Sequence, residues 1–209
     1  RPQFTNAIEL AYKTTWETGS LYNAIYHRMA DGTITRISST TPPSNLIYAT
    51  FQNVNKSYNS GLEIIYAQEI SKKYKFSINL NGYKNQIDGF SVENKYPIKH
   101  LFSAAKQEIF SGNLKLNNTF HFAKNIDAQL TAIYLAPDII PQGKINSRFS
   151  LDDGVKKLIQ KSKGELFFNA TDLLNTMITK KEIKGQGFIY TSNDYYETQV
   201  IRVGYSYKF

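Results

Sequence analysis

Cysteine is absent from the 209 residues, and methionine and tryptophan are scarce, with 2 and 1 residues respectively. Without cysteine the chain can form no disulfide framework and no thiolate-ligated metal site. The absence suits a compartment in which stray thiols would oxidise, although it is equally compatible with chance. The 3 histidines, His27, His100 and His121, follow no metal-ligand spacing such as H-x₃-H. We therefore predict no metal site and no cofactor.

Long apolar runs are also missing, and the mean hydropathy is -0.41. No run approaches the roughly 20 residues that a membrane-spanning helix needs, and no segment shows sustained helical spacing. A membrane barrel is not excluded, because only alternate residues of its strands face lipid. The chain begins with Arg1-Pro-Gln-Phe4, which has neither part of a secretion signal, so we expect a mature or truncated chain.

Basic residues outnumber acidic ones by 25 to 17, a formal net charge of +8. The lysines fall mostly in turn-like clusters rather than along one helix, which favours solvated turns over nucleic-acid binding. Attraction to an anionic membrane surface is the alternative. The clusters are Lys72, Lys73 and Lys75, and Lys156, Lys157, Lys161 and Lys163.

Aromatic residues make up 14% of the chain, with 15 tyrosines and 13 phenylalanines, a composition that favours strands. Apolar and polar residues alternate in many segments, which predicts strands with one apolar and one polar face. In the last segment the apolar set is Ile201, Val203, Tyr205, Tyr207 and Phe209. The same alternation recurs at 4–13, 62–66, 74–81, 114–122, 126–134 and 165–171.

This alternation predicts an all-β fold of about nine long antiparallel strands, many of them longer than the roughly 10 residues that cross a bilayer. The approximate strand ranges are 4–17, 20–38, 46–70, 74–88, 105–122, 126–137, 145–159, 164–187 and 195–209. Short polar turns alternate with longer connections at 38–45, 89–100 and 136–144. Tight turns at one end and long loops at the other are typical of an up-and-down barrel that spans a membrane.

An odd number of strands does not close a barrel of this kind, because bacterial single-chain barrels have an even number. If the last strand descends to the periplasm, the first predicted strand also descends, and an ascending strand should precede it. We therefore expect residues 1–209 to form one partial transmembrane β-barrel domain, the C-terminal portion of a larger barrel.

Short pieces of the sequence, taken in order, carry a resemblance to a known family. The pieces are Tyr58-Asn-Ser-Gly-Leu-Glu63, Tyr134-Leu-Ala-Pro137, Pro141-Gln-Gly143, Asn169-Ala-Thr-Asp-Leu-Leu-Asn175 and Tyr205-Ser-Tyr-Lys-Phe209. They resemble the C-terminal barrel of TonB-dependent outer-membrane receptors, in the outer-membrane β-barrel family common in Bacteroidetes-type gram-negative envelopes. The resemblance covers essentially the whole chain.

The resemblance implies an outer-membrane protein with a barrel of about 22 strands, filled by an N-terminal plug domain that would precede Arg1. Such receptors bind a scarce nutrient outside and import it with energy passed on by TonB. The implied partners are the rest of the barrel and its plug, outer-membrane lipid, the barrel-assembly machinery, TonB through the N-terminal part, and a possible surface lipoprotein. No nucleic acid, cofactor or catalytic residue is implied.

Two segments receive roles from this resemblance. Tyr205, Tyr207 and Phe209 would form the signal that the assembly machinery recognises, and the alternative is an ordinary lipid-facing strand with interfacial aromatics. Asp172, Leu173, Leu174 and Asn175 interrupt an alternating segment. Because Asp and Asn side chains can bond to nearby backbone groups, we predict a kink or bulge at the outer rim.

We predict no enzyme. His121 lies near a predicted periplasmic turn, and His100 lies in a long loop with Ser91 and Asp88 near it in sequence, which is too little for a Ser–His hydrolase. Asp152 and Asp153 are adjacent, so on a strand they face opposite sides, and we expect a lumen-facing carboxylate rather than a cation site. The loops at 38–44, 88–96 and 137–142 are the predicted ligand contacts.

Two other functions remain open at this point. One is a different outer-membrane barrel, such as a porin or a secretion-linked barrel, and the other is a soluble β-sandwich that binds a carbohydrate or protein. In a sandwich the apolar faces pack onto each other in a dry core. Burial of Phe76, Leu80, Leu130 and Tyr205 together would therefore contradict the membrane barrel.

Overall fold

A computed structural model describes residues 1–41, 44–95, 99–185 and 188–209. The predicted loop residues Pro42, Pro43, Tyr96 and Pro97 lie outside the described residues. The described part of the chain is almost entirely strand and turn, with one short 3₁₀ helix at Gln160–Ser162. None of the helical structure in these ranges is long and apolar enough to cross a membrane.

The strands of the described residues are numbered β1 to β17 in chain order. They are β1 Phe4–Trp16, β2 Gly19–Asp31, β3 Ile34–Thr41, β4 Ser44–Asn53, β5 Ser57–Ser71, β6 Tyr74–Ile87, β7 Phe90–Asn94, β8 His100–Ala104, β9 Gln107–Phe122, β10 Ile126–Leu135, β11 Asp138–Ile140, β12 Gly143–Ile145, β13 Arg148–Ile159, β14 Gly164–Thr171, β15 Thr179–Gly185, β16 Phe188–Asp194 and β17 Val200–Tyr207.

The main sheet has 9 strands in the order β1-β2-β5-β6-β9-β10-β13-β14-β17. Every neighbouring pair in it is antiparallel, which confirms the predicted all-β fold of nine long antiparallel strands. At one end of the sheet short turns join consecutive strands, as between β1 and β2 and between β5 and β6. At the other end each connection contains a further strand pair, so the two ends of the sheet differ in architecture.

The extent of several predicted strands and loops was wrong. The paired strands β3 and β4 cover parts of the predicted loop 38–45 and of the predicted strands 20–38 and 46–70, and β7, which pairs with β8, lies in the predicted loop 89–100. β15 lies within the predicted strand 164–187, and β16 lies in the predicted connection that follows it. The reason is that the strands of these short hairpins alternate polar and apolar residues as the strands of the main sheet do. Breaks such as Asp31-Gly32-Thr33, where Gly32 has a φ of 64°, therefore separate strands that the pattern merges.

The main sheet has one continuous apolar face. The strand register brings apolar side chains of all its strands to this face, and much of their surface is exposed: Ile8 76%, Leu80 44%, Phe168 37% and Val203 77%. Leu80 and Tyr205 are exposed, and no second layer of the described residues covers them. A soluble sandwich would bury this face, whereas a membrane barrel presents it to lipid.

Aromatic rings on the apolar face form a band next to the short turns. Ring centroids lie 6.0 Å apart for Trp16 and Tyr66, 5.8 Å for Tyr66 and Phe76, and 5.0 Å for Tyr74 and Phe120. Aromatic girdles of this kind mark the membrane–water interface of transmembrane barrels. The band therefore indicates the level at which the membrane ends on the side of the short turns.

Two polar residues on the apolar face, Asn118 and His27, are hydrogen-bonded within the sheet. The Tyr74 hydroxyl donates to Asn118 Oδ1 at 2.8 Å, and His27 Nδ1 lies 2.7 Å from Ser60 Oγ. Asn118 is the polar exception in an otherwise apolar segment, and its amide gains partners from neighbouring strands. Such pairing matters at a lipid-facing surface, because lipid offers no hydrogen-bond partner.

The hairpins at the other end of the sheet form a packed outer layer. Ile37 of β3, Val54, Phe90 of β7 and Phe102 of β8 are buried together, and the rings of Phe90 and Phe102 are 5.9 Å apart. A separate 4-stranded sheet has the order β11-β12-β15-β16. The long connections are therefore folded structure with a small hydrophobic core of their own.

A charge on the apolar face should destabilise the protein in a bilayer. Ile78 lies on this face between Tyr66 and Leu116, and Asn79 lies at nearly the same depth on the opposite, polar face. We expect Ile78→Arg to lower the free energy of unfolding in phospholipid vesicles by about 2–4 kcal/mol.

The matched control is Asn79→Arg, which we expect to cost less than about 1 kcal/mol, mainly from repulsion with Lys115 opposite it. Equal costs for the two substitutions in urea unfolding would contradict the assignment of the apolar face to lipid.

Candidate functional site

The segment 136–144, between β10 and β13, lies against the polar face of the main sheet, and we call it the strap. At its start the Ala136 N–H donates to the Gly112 carbonyl at 2.9 Å. The two oxygens of the Asp138 carboxylate then accept hydrogen bonds from the Tyr83 hydroxyl and the Asn85 amide, each at 2.8 Å. Since Tyr83 and Asn85 extend from the polar face of β6, these bonds hold the strap over the interior.

The far end of the strap is fastened to β3. Gln142 is 5% exposed, and the Ser38 N–H donates to its side-chain oxygen at 2.6 Å. The Gln142 amide nitrogen donates in turn to the Ser38 carbonyl at 2.8 Å. These are the two bonds that a residue of a neighbouring strand would exchange with Ser38, so a side chain substitutes for a strand at the edge of β3.

This contact requires the outer hairpins to lean over the polar face. The β3–β4 hairpin connects β2 to β5, and the strap begins after β10. In the main sheet β5 and β10 are separated by β6 and β9. At about 4.8 Å between neighbours, β5 and β10 are roughly 14 Å apart. Gln142 and Ser38 can meet only if their segments cross that distance above the sheet, so the outer layer roofs the interior.

Two cavities, each of about 490 Å³, lie on either side of the Pro141-Gln142 turn of the strap. One lies between the strap and the β7–β8 hairpin, with Phe102, Gln107 and Lys184 in its wall. The other lies between the β3–β4 and β15–β16 hairpins. Both have volumes typical of small-molecule sites. The predicted ligand loop 137–142 therefore lies between two cavities at the outer end of the barrel wall.

The motif from Asp172 to Asn175 forms the turn in which β14 ends. Asp172 and Asn175 have φ values of 47° and 54°, and the Asn175 N–H donates to the Asp172 carbonyl at 2.8 Å. The Asp172 side chain, 2% exposed, accepts bonds from the N–H groups of Thr176 and Met177 and from the Thr198 hydroxyl at 2.9, 3.1 and 2.6 Å. One carboxylate thus joins the segment after β14 to the segment before β17.

Two opposing effects act on the pKa of Asp172. Burial of the carboxyl group disfavours the charged form, but the hydrogen bonds from Thr198, Thr176 and Met177 favour it. The hydrogen bonds prevail, and the pKa of Asp172 lies below its ordinary value. The turn from Asp172 to Asn175 is also attached to β13, because the Leu173 N–H donates to the Leu151 carbonyl at 2.7 Å.

Of the predicted assembly-signal residues, Tyr205 and Tyr207 lie on the apolar face of β17, and Phe209 follows the end of that strand. Tyr205 and Tyr207 are 52% and 41% exposed, and Phe209 is fully exposed. The rings of Tyr207 and Phe209 meet edge to face at 5.4 Å, and the Tyr205 hydroxyl donates to Gln160 Oε1 at 2.8 Å. These residues therefore form an aromatic patch beside the short turn at Gln160–Ser162.

The paired aspartates lie on opposite faces, as the strand pattern predicts. Asp152 accepts bonds from the Ser150 hydroxyl at 2.7 Å and from the Asp172 N–H at 2.8 Å on the polar face. Asp153 lies opposite Leu130 and Ala170, on the apolar face. The expectation of a lumen-facing carboxylate is thus met by Asp152 only, since the unbroken register excludes a bulge that would turn Asp153 inward.

One histidine, His121, contacts an acidic side chain, Asp127. His121 Nδ1 lies 2.7 Å from Asp127 Oδ1, and Lys156 Nζ lies 3.5 Å from Asp127 Oδ2, on the polar face near the short turns. His100 begins β8 in the outer layer. The described ranges contain no group of three histidine, cysteine or acidic side chains that could hold a metal ion. The Lys156–Asp127 ion pair supplies charge to the polar face near the short turns.

Sequence reasoning missed the partners of the strap. The pieces that carry the resemblance include Pro141-Gln-Gly143, but nothing in the spacing of residues indicates that Gln142 bonds to Ser38, 104 positions earlier. The roles of Tyr83 and Asn85 were missed for the same reason, because polar side chains on an inward strand face look alike in sequence.

The chain matches a known protein family over nearly its whole length. A family model described as the outer membrane protein beta-barrel family matches residues 1–207. Among curated proteins no match was found. The family match covers all strands of the main sheet and the whole outer layer.

Neutralising Asp172 should loosen the outer turn. Because its pKa is lower in the folded protein than in the unfolded chain, its stabilising effect is complete above the ordinary pKa of about 3.9 and disappears as the pH falls below it. We expect Asp172→Asn to lower the local opening free energy by about 2 kcal/mol at neutral pH, measured by hydrogen exchange at Thr176 and Met177.

The variant should also remove the acid-induced loss of protection at these amides. Asp31→Asn is the control, because Asp31 is exposed at the end of β2. If exchange at Thr176 and Met177 is the same in both variants, the carboxylate does not hold the turn.

Proposed function

Because the chain belongs to the outer membrane protein β-barrel family and therefore lies in the outer membrane, we propose that it is the C-terminal barrel segment of a TonB-dependent receptor that imports a nutrient. The observation that carries this proposal is the strap, which is bonded to the interior wall at Asp138 and to β3 at Gln142. A barrel wall with a roofed interior and adjoining cavities suits capture of a ligand before transport.

The two edge strands of the main sheet, β1 and β17, support the proposal that this sheet is part of a larger barrel. Within the described residues, β1 pairs only with β2 and β17 pairs only with β14. In lipid each unpaired backbone group costs several kcal/mol, so both edges need partners. We propose that further strands of a barrel of about 22 complete the wall, with a plug domain inside it.

The other partners follow from the same proposal. The apolar face contacts outer-membrane lipid, TonB acts through a part of the protein outside residues 1–209, and the roofed outer end could accommodate a surface lipoprotein. Tyr205, Tyr207 and Phe209 form the signal for the barrel-assembly machinery. Membership of a barrel family favours a non-enzymatic role, and we propose no nucleic-acid partner.

A passive porin or a secretion-linked barrel is the alternative within the same membrane. Porins leave an aqueous channel through the barrel, whereas here the strap is bonded at both ends across the interior face. This favours a receptor. The soluble β-sandwich is disfavoured by the uncovered apolar face and by the family match.

Uptake should depend on TonB. We would delete the gene in its host and compare growth on limiting iron chelates, vitamins, sugars and peptides with growth of a strain that lacks TonB. We expect the deletion to abolish growth on one nutrient class and the TonB mutant to share that defect, because import against a gradient needs transmitted energy.

Complementation with the intact gene is the control. Growth that requires this protein but persists without TonB would identify a passive barrel and contradict the receptor proposal.

Replacing the terminal aromatic should impair assembly. We expect Phe209→Ala to lower the amount of folded protein in the outer membrane several-fold, measured by the heat-dependent shift in gel mobility. Phe110→Ala is the matched control, since Phe110 is also on the apolar face and is 81% exposed. Equal loss in both variants would mean that Phe209 acts only as one more lipid-facing aromatic.

A further inference from the structure

We propose that the groove between the β3–β4 hairpin and the β15–β16 hairpin binds a small amphipathic anion, whose carboxylate or phosphate is held by Arg36. As an account of the imported ligand, this proposal rests on the receptor function above. The groove has a volume of about 490 Å³. Arg36 and Ile47 lie on one wall, Ile183 and Tyr190 on the other, and Pro141 and Gln142 form the floor.

The direction of Arg36 follows from the strand alternation. Its neighbour Ile37 is fully buried in the core between the β3–β4 and β7–β8 hairpins, so Arg36 must point the other way. The register places Ser38 opposite Ala49 and Thr40 opposite Ile47, on the same face as Arg36. One face of this hairpin therefore stabilises the outer layer, and the other lines the groove.

The facing wall has its own charges already paired. Lys181 Nζ lies 2.9 Å from Asp194 Oδ2, and this ammonium group lowers the pKa of Asp194. Arg36 is different, because no hydrogen bond or ion pair of its guanidinium occurs among the described residues. The groove thus contains one positive charge that is not neutralised locally.

The chemistry of the walls selects the ligand class. A guanidinium fork matches the two oxygens of a carboxylate or phosphate and binds them through charge-assisted hydrogen bonds. Around it, Ile47 is 44% exposed and Tyr190 is 42% exposed, so apolar surface is open to a ligand. A wholly polar ligand would leave this apolar surface uncovered, and a neutral ligand would gain nothing from the charge of Arg36, which is exposed and otherwise solvated by water. The two features together favour an acidic group on an apolar body.

Short soluble probes can test this without interference from micelles. The protein, embedded in lipid nanodiscs, would be titrated with hexanoate, hexyl phosphate, hexanamide and acetate by saturation-transfer NMR, with empty nanodiscs as the reference. We expect hexanoate or hexyl phosphate to bind, and the comparison of the two distinguishes carboxylate from phosphate. Hexanamide and acetate should bind at least about tenfold more weakly, because each lacks one of the required features.

The variants assign the binding to Arg36. We expect Arg36→Gln to weaken binding of the anionic probe about tenfold or more. Arg36→Lys keeps the charge but loses the planar guanidinium, so its affinity should lie between those of the unchanged protein and Arg36→Gln. Lys56→Gln is the control. It removes one positive charge from the connection between β4 and β5, outside the groove, and should leave the affinity for the anionic probe unchanged. Heat-dependent gel mobility verifies that each variant is folded.

Four results would overturn the proposal: no probe binds, hexanamide binds as tightly as the anions, Arg36→Gln and Lys56→Gln behave alike, or acetate binds as tightly as hexanoate, since the apolar walls would then play no part. These titrations need neither TonB nor an energised membrane. If these titrations fail, the receptor proposal is unaffected. Uptake without TonB would contradict the receptor proposal and would not affect the proposal that the groove binds an anion.

Discussion

Pairing of every backbone N–H and C=O with a neighbouring strand is the constraint on which this structure depends. Lipid offers no hydrogen-bond partners, so a sheet that faces it must be continuous. The main sheet meets this requirement with a series of antiparallel neighbours from β1 to β17. The same constraint explains why Asn118 and His27, which lie on the apolar face, are bonded to Tyr74 and Ser60.

Outside the membrane, water can pair with backbone groups, so the chain no longer needs a continuous sheet. The two ends of the main sheet differ in how the chain continues there. At one end the chain reverses in short turns beside an aromatic band. At the other end the hairpins bury Ile37 and Phe90 in a core of their own, so the outer layer has a fixed shape. A surface that recognises a ligand needs such rigidity, because flexible loops must be ordered at the expense of binding free energy.

Two side chains of the strap hold the outer layer over the polar face of the main sheet. Asp138 fastens the strap to the wall below it, and Gln142 fastens it to β3 across the interior. Asp172 performs a comparable task at the end of β14, where its carboxylate joins the segment after β14 to the segment before β17. In each case one polar side chain reaches a segment at least 26 residues away in sequence, where no strand ladder continues.

The sequence alone determined the class of fold, the long antiparallel strands and the division of each strand into an apolar and a polar face. It did so because alternation with a period of two depends only on local geometry. It also showed that Asp152 and Asp153 face opposite sides. The family resemblance rested on short motifs that are local in the same sense.

Only the tertiary structure decided what the connections do. The predicted strands 20–38, 46–70 and 164–187 continue into β3, β4 and β15, so the alternation alone did not separate these outer strands from the barrel wall. The pairing of Gln142 with Ser38 and the isolation of Arg36 depend on which segments meet across the interior. Such meetings are set by the curvature of the sheet and the packing of hairpins, which involve residues far apart in the chain and leave no periodic trace in it.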